Sequence, residues 1–382
     1  MMKKIALITP MLQPYRITFY EKLAFADLGY DLRVFHGISA SEDGRPNYRG
    51  ETKFQNSGFS EHKYFIGPFK IVYNKGMYSE IRRYNPDLVI LQGIAGDITN
   101  RLIVNWATRK KKKIILWTAG WDPGLAKGRL LSLKNHFVST FFRKASIHLT
   151  YGTRASQYAE SMGVPSDNIK TCYNGIEIDH LIAEEKQILD KSKEVIERYK
   201  LENHTTFLYV GGLIQEKRVD LLLTAFSVLR EKYSNIKLLI VGDGPLRDQT
   251  LKMITELDDK HIYYLGRIIE GVDPYFAASD CLVLPGIGGL ALNQAMFWGL
   301  PCIVSEADGT EDDLVIENIS GYRFIKNNLE SLTDAIERRI NASPEEITRL
   351  SGKSREIVRT KSNVNNMVSV FLEGIKDCLN NP

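Results

Sequence analysis

The sequence has little that could cross-link the chain or bind a metal. Only four of its 382 residues are cysteines. Cys172, Cys281, Cys302 and Cys378 lie far apart, without a CxxC pair and without a histidine at metal-ligand spacing. We therefore expect reduced thiols, with neither a disulfide framework nor a zinc site.

Long apolar runs are also missing. The longest, such as those at 114–117 and 281–285, have the length of a strand and fall far short of the roughly 20 residues of a membrane-spanning helix. The apolar stretch at 5–8 ends before Pro10 and is shorter than the about 7–15 residues of a signal-peptide core. These absences predict a cytoplasmic protein without a transmembrane helix or a secretory signal.

Charge is distributed unevenly along the chain. Residues 1–180 carry 26 Lys and Arg against 15 Asp and Glu, whereas residues 181–382 carry 24 against 31. Residues 101–150 hold 11 basic residues and one acid, Asp122. The basic stretch 109–144 is either a solvated face or a peripheral contact with anionic lipid headgroups at the inner face of the cell membrane. Nucleic acid is the weaker partner, because the basic run has no recognised binding motif and no aromatic stacking platform beside it.

Short β-rich runs alternate with helical patterns, and this order is repeated. Alternation of this kind is typical of parallel βαβ units, so it predicts an α/β protein with two doubly wound parallel sheets. Ligands of such sheets bind outside the carboxyl ends of the strands, which predicts a site in a cleft between two facing domains. The predicted strands are 5–9, 31–35, 87–92, 114–118 and 147–151, then 206–210, 237–241, 262–265, 281–284 and 302–305.

The pattern restarts after a polar, Lys- and Glu-rich helical stretch at 183–200. We therefore predict an N-terminal domain over 1–182 and a C-terminal domain over 203–360. A last helix within 361–382 has an apolar face that can pack, and we consider that it packs back on the N-terminal domain.

Three glycine-rich loops follow three of the predicted strands in the second half. They are Gly-Gly-Leu-Ile-Gln-Glu-Lys-Arg at 211–218, Val-Gly-Asp-Gly-Pro at 241–245 and Pro-Gly-Ile-Gly-Gly at 285–289. The third loop leads into a predicted helix that ends at Gly299, before Pro301. A glycine loop at a helix N-terminus offers free N–H groups to a phosphate. Together the loops favour one anion site over three independent turns.

These motifs resemble those of the retaining glycosyltransferases of family 4, which have the two-domain GT-B fold. The resemblance covers 207–324 and is looser in the first half, where Pro14-Tyr15-Arg16, 117–122 and Asn174-Gly175-Ile176 match. In the second half the three loops match, and so do Tyr-Leu-Gly at 264–266, Ala278-Ser279-Asp280, Gln294-Ala295-Met296 and Gly299-Leu300-Pro301.

The resemblance implies a donor site for a nucleotide-sugar in the second half. It implies that Lys217, with Arg218 beside it, acts on the donor diphosphate as the catalytic group. The glycines of the loops, Gly211, Gly212 and Gly242, belong to the same implied site. The other implied contacts are the Gly288, Gly289 and Leu290 amides at the distal phosphate, Arg267 and Ile268 near the nucleobase, and Gln294 at the ribose.

The implied reaction moves a sugar from a nucleotide-sugar, with a UDP-sugar favoured over a GDP-sugar, to an acceptor hydroxyl with retention at the anomeric carbon. Its main requirement is stabilisation of the leaving diphosphate, which a lysine and helix-end amides supply. We expect no cofactor and no metal. The acids Asp308, Glu311, Asp312 and Asp313 are interpreted as a solvated helix start rather than a cation site.

Several positions depart from the family pattern. Gly286 and Gln294 stand where the family usually has two glutamates, and Gly212 stands where it has an arginine. Arg218 occupies a position where glycine is common and is a candidate to restore that charge. The frequent histidine of the first-half loop is Ala119 here.

The first half supplies candidate acceptor contacts. Arg16 is expected at the rim of the cleft, where it can meet a phosphate of the acceptor or donor. Asp122 is a candidate to orient an acceptor hydroxyl, with Trp117 and Trp121 as a sugar-stacking surface, although a buried core position is the commoner fate of tryptophan. The expected acceptor is a lipid-linked precursor of a surface polysaccharide or lipopolysaccharide.

Two alternatives remain open. A sugar-nucleotide epimerase of the same architecture would be expected to carry acidic and basic groups for proton abstraction, and the sequence shows no convincing set. A non-catalytic binding or partner subunit that kept the fold would explain Gly286 and Gln294.

Overall fold

A computed structural model of the chain describes residues 2–26, 29–38, 47–66, 69–92, 96–119, 129–307 and 309–380. The chain divides into two compact units: unit 1 comprises Met1–Tyr173 with Val364–Pro382, and unit 2 comprises Asn174–Asn363. No helix among the described residues is long and apolar enough to cross a membrane.

Unit 1 is built on a sheet of order β4-β3-β2-β1-β5-β6-β7-β8 among the described residues. All neighbouring strands are parallel except β3 and β4, which form an antiparallel hairpin. Its elements are β1 (Lys3–Thr9), α1 (Ile17–Ala24), β2 (Tyr30–Ile38), β3 (Gln55–Ile66), β4 (Phe69–Asn74), α2 (Met77–Tyr84), β5 (Leu88–Gln92), α3 (Ile98–Arg109), β6 (Lys113–Thr118), α4 (Arg129–Phe142), β7 (Ile147–Thr150), α5 (Thr153–Ser161), β8 (Ile169–Thr171) and, from the end of the chain, α15 (Val364–Asn380).

Hydrophobic side chains of unit 1 cover both faces of its sheet. Ile5 and Leu7 of β1 belong to one buried cluster, and Ala6 and Ile8 belong to the other. Alternate residues of a strand point to opposite faces, so helices are needed on both sides. One cluster contains residues of α1 and α15, and the other contains residues of α2, α3 and α4.

Unit 2 has a parallel sheet of order β11-β10-β9-β12-β13-β14 among the described residues. The change of direction in strand order lies between β9 and β12, which is where a doubly wound sheet opens a crevice. Its elements are α6 (Asp179–Ala183), α7 (Glu185–Tyr199), β9 (Thr205–Val210), α8 (Val219–Lys232), β10 (Ile236–Val241), α9 (Arg247–Leu257), β11 (Ile262–Gly266), α10 (Asp273–Ala277), β12 (Cys281–Leu284), α11 (Leu290–Phe297), β13 (Cys302–Val304), α12 (Thr310–Leu314), β14 (Gly321–Arg323), α13 (Leu329–Ile340) and α14 (Pro344–Thr360).

The predicted fold class, two parallel α/β sheets, is confirmed. The observed division of the chain lies at 173/174 and 363/364, whereas the predicted boundaries were 182 and 360/361. The segment 174–182 belongs to unit 2, where α6 packs on α7. The predicted polar helix at 183–200 corresponds to α7, which packs on α10 of the same unit.

Candidate active site

Three loops of unit 2 meet at the carboxyl ends of β9, β10 and β12. The carboxyl ends of parallel strands lie at one edge of the sheet, which brings the loops together. The Leu213 amide donates to the Asp243 carbonyl at 3.0 Å, and the Leu246 amide donates to the Leu213 carbonyl at 3.0 Å. The Ile287 amide donates to the Glu216 carbonyl at 2.9 Å. The predicted convergence of the three glycine loops is therefore present in unit 2.

Glycine is required where the loops approach each other most closely. A Cβ atom at Gly242 would lie 1.9 Å from the Gly211 carbonyl oxygen, and one at Gly286 would lie 1.9 Å from the Glu216 carbonyl oxygen. Neither position has room for a side chain. The second contact explains in physical terms why Gly286 departs from the glutamate of the resemblance: the backbone of the Lys217 loop occupies that space.

Lys217 lies at the junction of two of these loops. It ends a short 3-10 turn at Gln215–Lys217, and its ammonium group donates to the Gly288 carbonyl. The ammonium nitrogen is 3.6 Å from the position that a Cβ of Gly289 would take. Helix α11 begins at Leu290, one residue later. The structure thus brings Lys217 together with Gly288, Gly289 and the start of α11, where the N–H groups of the first turn have no partners within the helix.

Arg218 has a different environment. Its backbone is left-handed, with φ of 53°, a conformation that glycine adopts more readily than other residues. Its guanidinium donates to both carboxylate oxygens of Asp220, at 2.9 to 3.2 Å, and to the side chain of Asn327. The hydrogen bonds to Asp220 raise the pKa of Arg218. Arg218 therefore extends toward α8 and the start of α13, and these partners, Asp220 and Asn327, lie outside the three loops.

The nucleobase candidates follow β11. Arg267 is exposed and Ile268 is half-buried. The Gly266 carbonyl before them accepts from the Gly242 amide at 2.8 Å, which ties this segment to the second glycine loop. The Tyr264 hydroxyl donates to the Gly242 carbonyl at 3.0 Å. Tyr264 was missed as a supporting residue, and only its place in the Tyr-Leu-Gly motif could have indicated it.

The ribose candidate Gln294 lies on the second turn of α11. Its side-chain N–H donates to Asp273 Oδ1 at 2.8 Å, and the indole N–H of Trp298 donates to the same oxygen at 2.8 Å. Neither Asp273 nor Trp298 was identified from the sequence as part of a site. The sequence gives little indication of this contact, because residues 273 and 294 are 21 positions apart on different helices.

Acidic side chains of the segment near α12 make hydrogen bonds and an ion pair within unit 2. Both side-chain oxygens of Glu311 accept from backbone N–H groups of Ala307 and Gly309, and Asp312 pairs with Arg323 at 2.6 Å. Among the residues that the structure describes, no group of three or more His, Cys, Asp or Glu side chains is arranged for a metal ion. Asp308 lies outside the described residues.

In unit 1, Arg16 is buried rather than exposed. It is 3% exposed, with its guanidinium carbon 4.3 Å from the centre of the Trp117 ring and one N–H donating to Met367 Sδ at 3.4 Å. Trp117 is 1% exposed within the core, so the expectation that it forms a sugar-stacking surface is wrong. Trp121 and Asp122 lie outside the described residues.

Basic and apolar side chains share the surface of α3 and α4 in unit 1. Ile98, Leu102 and Phe137 are exposed by 40%, 38% and 51%. Arg101 covers the Phe137 ring, with its guanidinium carbon 3.0 Å from the ring centre. The exposed Arg109 follows at the end of α3.

The family model of Glycosyl transferases group 1 matches residues 190–356. Residues 190–356 are therefore similar to the domain of the group 1 glycosyl transferases. An uncharacterized glycosyltransferase of Haemophilus influenzae is 32% identical over 178 residues, which are 46% of this chain and 48% of the relative. The lipopolysaccharide 1,6-galactosyltransferase of Escherichia coli K12 is 25% identical over 258 residues, 64% of this chain and 63% of the relative. The chain thus spans about half to two thirds of the length of these curated relatives.

Solved structures share the architecture over almost the whole chain. Anabaena Alr3699/HepE in complex with UDP superposes with a TM-score of 0.73 at 12% identity, covering 98% of this chain and 100% of that chain. The lipopolysaccharide outer core galactosyltransferase WaaB, in its apo form, gives a TM-score of 0.69 at 16% identity, with coverage of 98% and 100%. At these identities the likeness concerns the fold alone, which here comprises two units that each contain a Rossmann-like parallel sheet.

Proposed function

We propose that this chain is a retaining glycosyltransferase of family 4. It transfers a hexose from a nucleotide-sugar, with a UDP-sugar as first choice and a GDP-sugar as second, to an acceptor hydroxyl. The acceptor belongs to a lipid-linked precursor of a surface polysaccharide or lipopolysaccharide. The relatives that act on lipopolysaccharide support this acceptor class, and HepE in complex with UDP supports the donor.

The observation that carries the proposal is the position of the Lys217 ammonium beside Gly288, Gly289 and the first turn of α11. Breaking the bond between the sugar and the diphosphate adds one negative charge to the distal phosphate of the leaving group. A lysine and the N–H groups of a helix end stabilise that developing charge. The remaining requirement is an acceptor hydroxyl held beside the anomeric carbon on the face of the leaving diphosphate. Asp122 stays our candidate for this contact, whereas the buried position of Arg16 removes it as an acceptor contact. The proposed reaction uses no cofactor and no metal.

Substitution of Lys217 tests this role directly. We expect Lys217→Ala to weaken UDP binding by about tenfold or more, since hydrogen bonds between charged groups contribute about 1.5–3 kcal/mol. Calorimetry measures the affinity, and thermal unfolding shows that the variant folds. Lys252→Ala is the matched control, because Lys252 pairs with Glu256 on the exposed face of α9. Equal UDP affinity of the parent and Lys217→Ala would contradict the role of Lys217.

Nucleotide choice is tested by a binding panel of UDP, GDP, dTDP and CMP. A ligand of the native state raises the unfolding temperature by mass action. A shift confined to UDP supports the first choice, and a shift confined to GDP supports the second. A folded protein that responds to none of the four would favour a non-catalytic partner subunit, the reading that Gly286 and Gln294 keep open.

We also propose that the basic stretch 109–144 contacts anionic membrane lipid. The exposed apolar side chains of α3 and α4 support it, because Arg101 covers one of them, Phe137, and such side chains can enter the headgroup region. Changing Arg109, Lys110, Lys111, Lys112 and Lys113 to Gln should reduce sedimentation with phosphatidylglycerol vesicles, more so at low salt than at high salt. A control changes Lys186, Lys191 and Lys193 of α7. Equal sedimentation of the 109–113 variant and the parent would remove the membrane contact.

A further inference from the structure

Asp273, Gln294 and Trp298 form a connected group of polar side chains beside the donor site of unit 2. Two N–H donors, one from Gln294 and one from Trp298, reach the same carboxylate oxygen at 2.8 Å each. Trp298 is 5% exposed, so its indole N–H depends on this acceptor. A carboxylate that accepts from two donors, one on α11 and one at the residue that follows it, is held in a defined position.

The support for Asp273 comes from rigid surroundings. It is the first residue of α10, and the following Pro274 and Phe276 are buried. Helix α10 packs on α7 and on α11. The carboxylate therefore stays beside α11 without the help of a ligand.

This arrangement decides how the Gln294 amide is oriented. A carboxylate oxygen accepts hydrogen bonds, so the side of the amide that faces Asp273 is its NH2 group. The carbonyl oxygen of the amide then points away from Asp273. In the opposite orientation two acceptors would face each other, which is unfavourable. A free glutamine at this position would present either group.

We infer that Asp273 is a positioning residue that makes Gln294 present an acceptor oxygen to a ribose hydroxyl of the donor nucleotide. The inference rests on the proposed function and on the implication of the resemblance that Gln294 lies at the ribose. Asp273 acts through Gln294 and does not itself touch the nucleotide.

The test compares UDP with 2′-deoxy-UDP and 3′-deoxy-UDP by calorimetry. We expect the parent to bind UDP roughly 3- to 10-fold more tightly than at least one deoxy analogue, the range of one neutral hydrogen bond. Asp273→Ala and Gln294→Ala should bind UDP more weakly and lose this discrimination. Asp273→Asn should retain most of it, because the Asn carbonyl can accept from the same two donors. Rescue by Asp273→Asn also guards against a variant that fails to fold.

The outcomes separate the inference from the proposed function. A parent that binds UDP and discriminates against a deoxy analogue, with an unchanged ratio in Asp273→Ala, would overturn the role of Asp273 and leave the function standing. A parent that binds UDP and both analogues equally would also overturn it. A folded parent that binds neither UDP nor GDP would overturn the function and the inference together.

Discussion

At the scale of single residues, the close approach at Gly286 has the strongest consequence. The carbonyl oxygen of Glu216 lies where a Cβ would stand, 1.9 Å away. The same backbone segment carries Lys217 to Gly288. Glycine at 286 therefore allows the close approach of the loop that carries Lys217 to Gly288.

We expect Gly286→Ala to destabilise the protein by about 1–3 kcal/mol, because the two loops must move apart. UDP affinity should fall at the same time, since Lys217 moves with its loop. Gly286→Glu should behave in the same way and should not increase activity. Chemical denaturation and calorimetry measure the two effects.

Gly352 on α14 provides the control for that substitution. An added Cβ there meets no atom within 4 Å. Gly352→Ala should be neutral or stabilising by up to about 1 kcal/mol, since alanine favours helix more than glycine does. If Gly286→Ala keeps the stability and the UDP affinity of the parent, the contact with Glu216 does not constrain the site.

The sequence predicts the residues of this site better than their interactions. Glycine at 242, 286 and 289 and lysine at 217 are visible as a motif, and the structure brings their loops together. Arg218 donates a hydrogen bond to Asn327, and the orientation of Gln294 depends on its hydrogen bond to Asp273. Such contacts join residues that are distant in sequence, and a motif of one loop contains no information about them.

At the scale of elements, apolar content decides what can be predicted. The central strands of both sheets are short apolar runs and were predicted, because parallel strands are buried on both faces. The hairpin of β3 and β4 was not predicted. Most of β3 alternates between exposed and half-buried residues and includes His62, Lys63 and the exposed Phe65. Strand β14 has only three residues, too few for a periodic pattern.

The start of α3 carries a buried acid that predicts a dependence of stability on pH. Asp97 caps this helix, accepting from the Asn100 amide at 3.1 Å, and is 6% exposed. Burial, with a smaller contribution from Glu61, raises the pKa of Asp97 from 3.8 to about 6. The folded protein binds the proton of the Asp97 carboxyl more tightly than the unfolded chain does. The contribution of Asp97 to the free energy of unfolding is therefore largest below pH 4 and is lost as the pH rises through about 6.

We therefore expect Asp97→Asn to gain stability over the parent as the pH increases from 4 to 6, reaching about 1–3 kcal/mol at pH 8. Asparagine keeps the cap and removes the buried charge. Urea unfolding at pH 4, 6 and 8 measures the difference. Asp190→Asn on the exposed face of α7 is the control. A difference between Asp97→Asn and the parent that is the same at every pH would contradict the raised pKa.

At the scale of the whole molecule, the chain returns to unit 1 at its end. The ring of Phe371 lies 4.9 Å from that of Phe19 and 5.1 Å from that of Trp117, and its side chain is fully buried. Lys170, on the edge strand β8, pairs with Glu373 and Asp377 of α15, the helix that also carries Phe371. The sequence predicts the apolar face of α15. Which sheet this face packs on depends on the path of the chain, which the sequence pattern does not show.

The return of α15 predicts that a change near the C-terminus destabilises unit 1. Phe371→Ala should cost about 3–5 kcal/mol, as for other fully buried aromatic side chains. Hydrogen exchange should show faster opening of β1 and β6, with β9 and β12 unchanged. Lys376→Ala on the exposed face of α15 is the control. Equal exchange of β1 in Phe371→Ala and the parent would contradict the assignment of α15 to the core of unit 1.

The central claim is that the Lys217 loop and the start of α11 form a donor site that supports sugar transfer. Its most direct test is the release of UDP from UDP-sugars in the presence of a lipid-linked glycan acceptor, for the parent and for Lys217→Ala. We predict acceptor-dependent release by the parent and a loss of 100-fold or more, roughly 3 kcal/mol of transition-state stabilisation, in the variant. Acceptor-dependent release at the same rate by both proteins would contradict the claim.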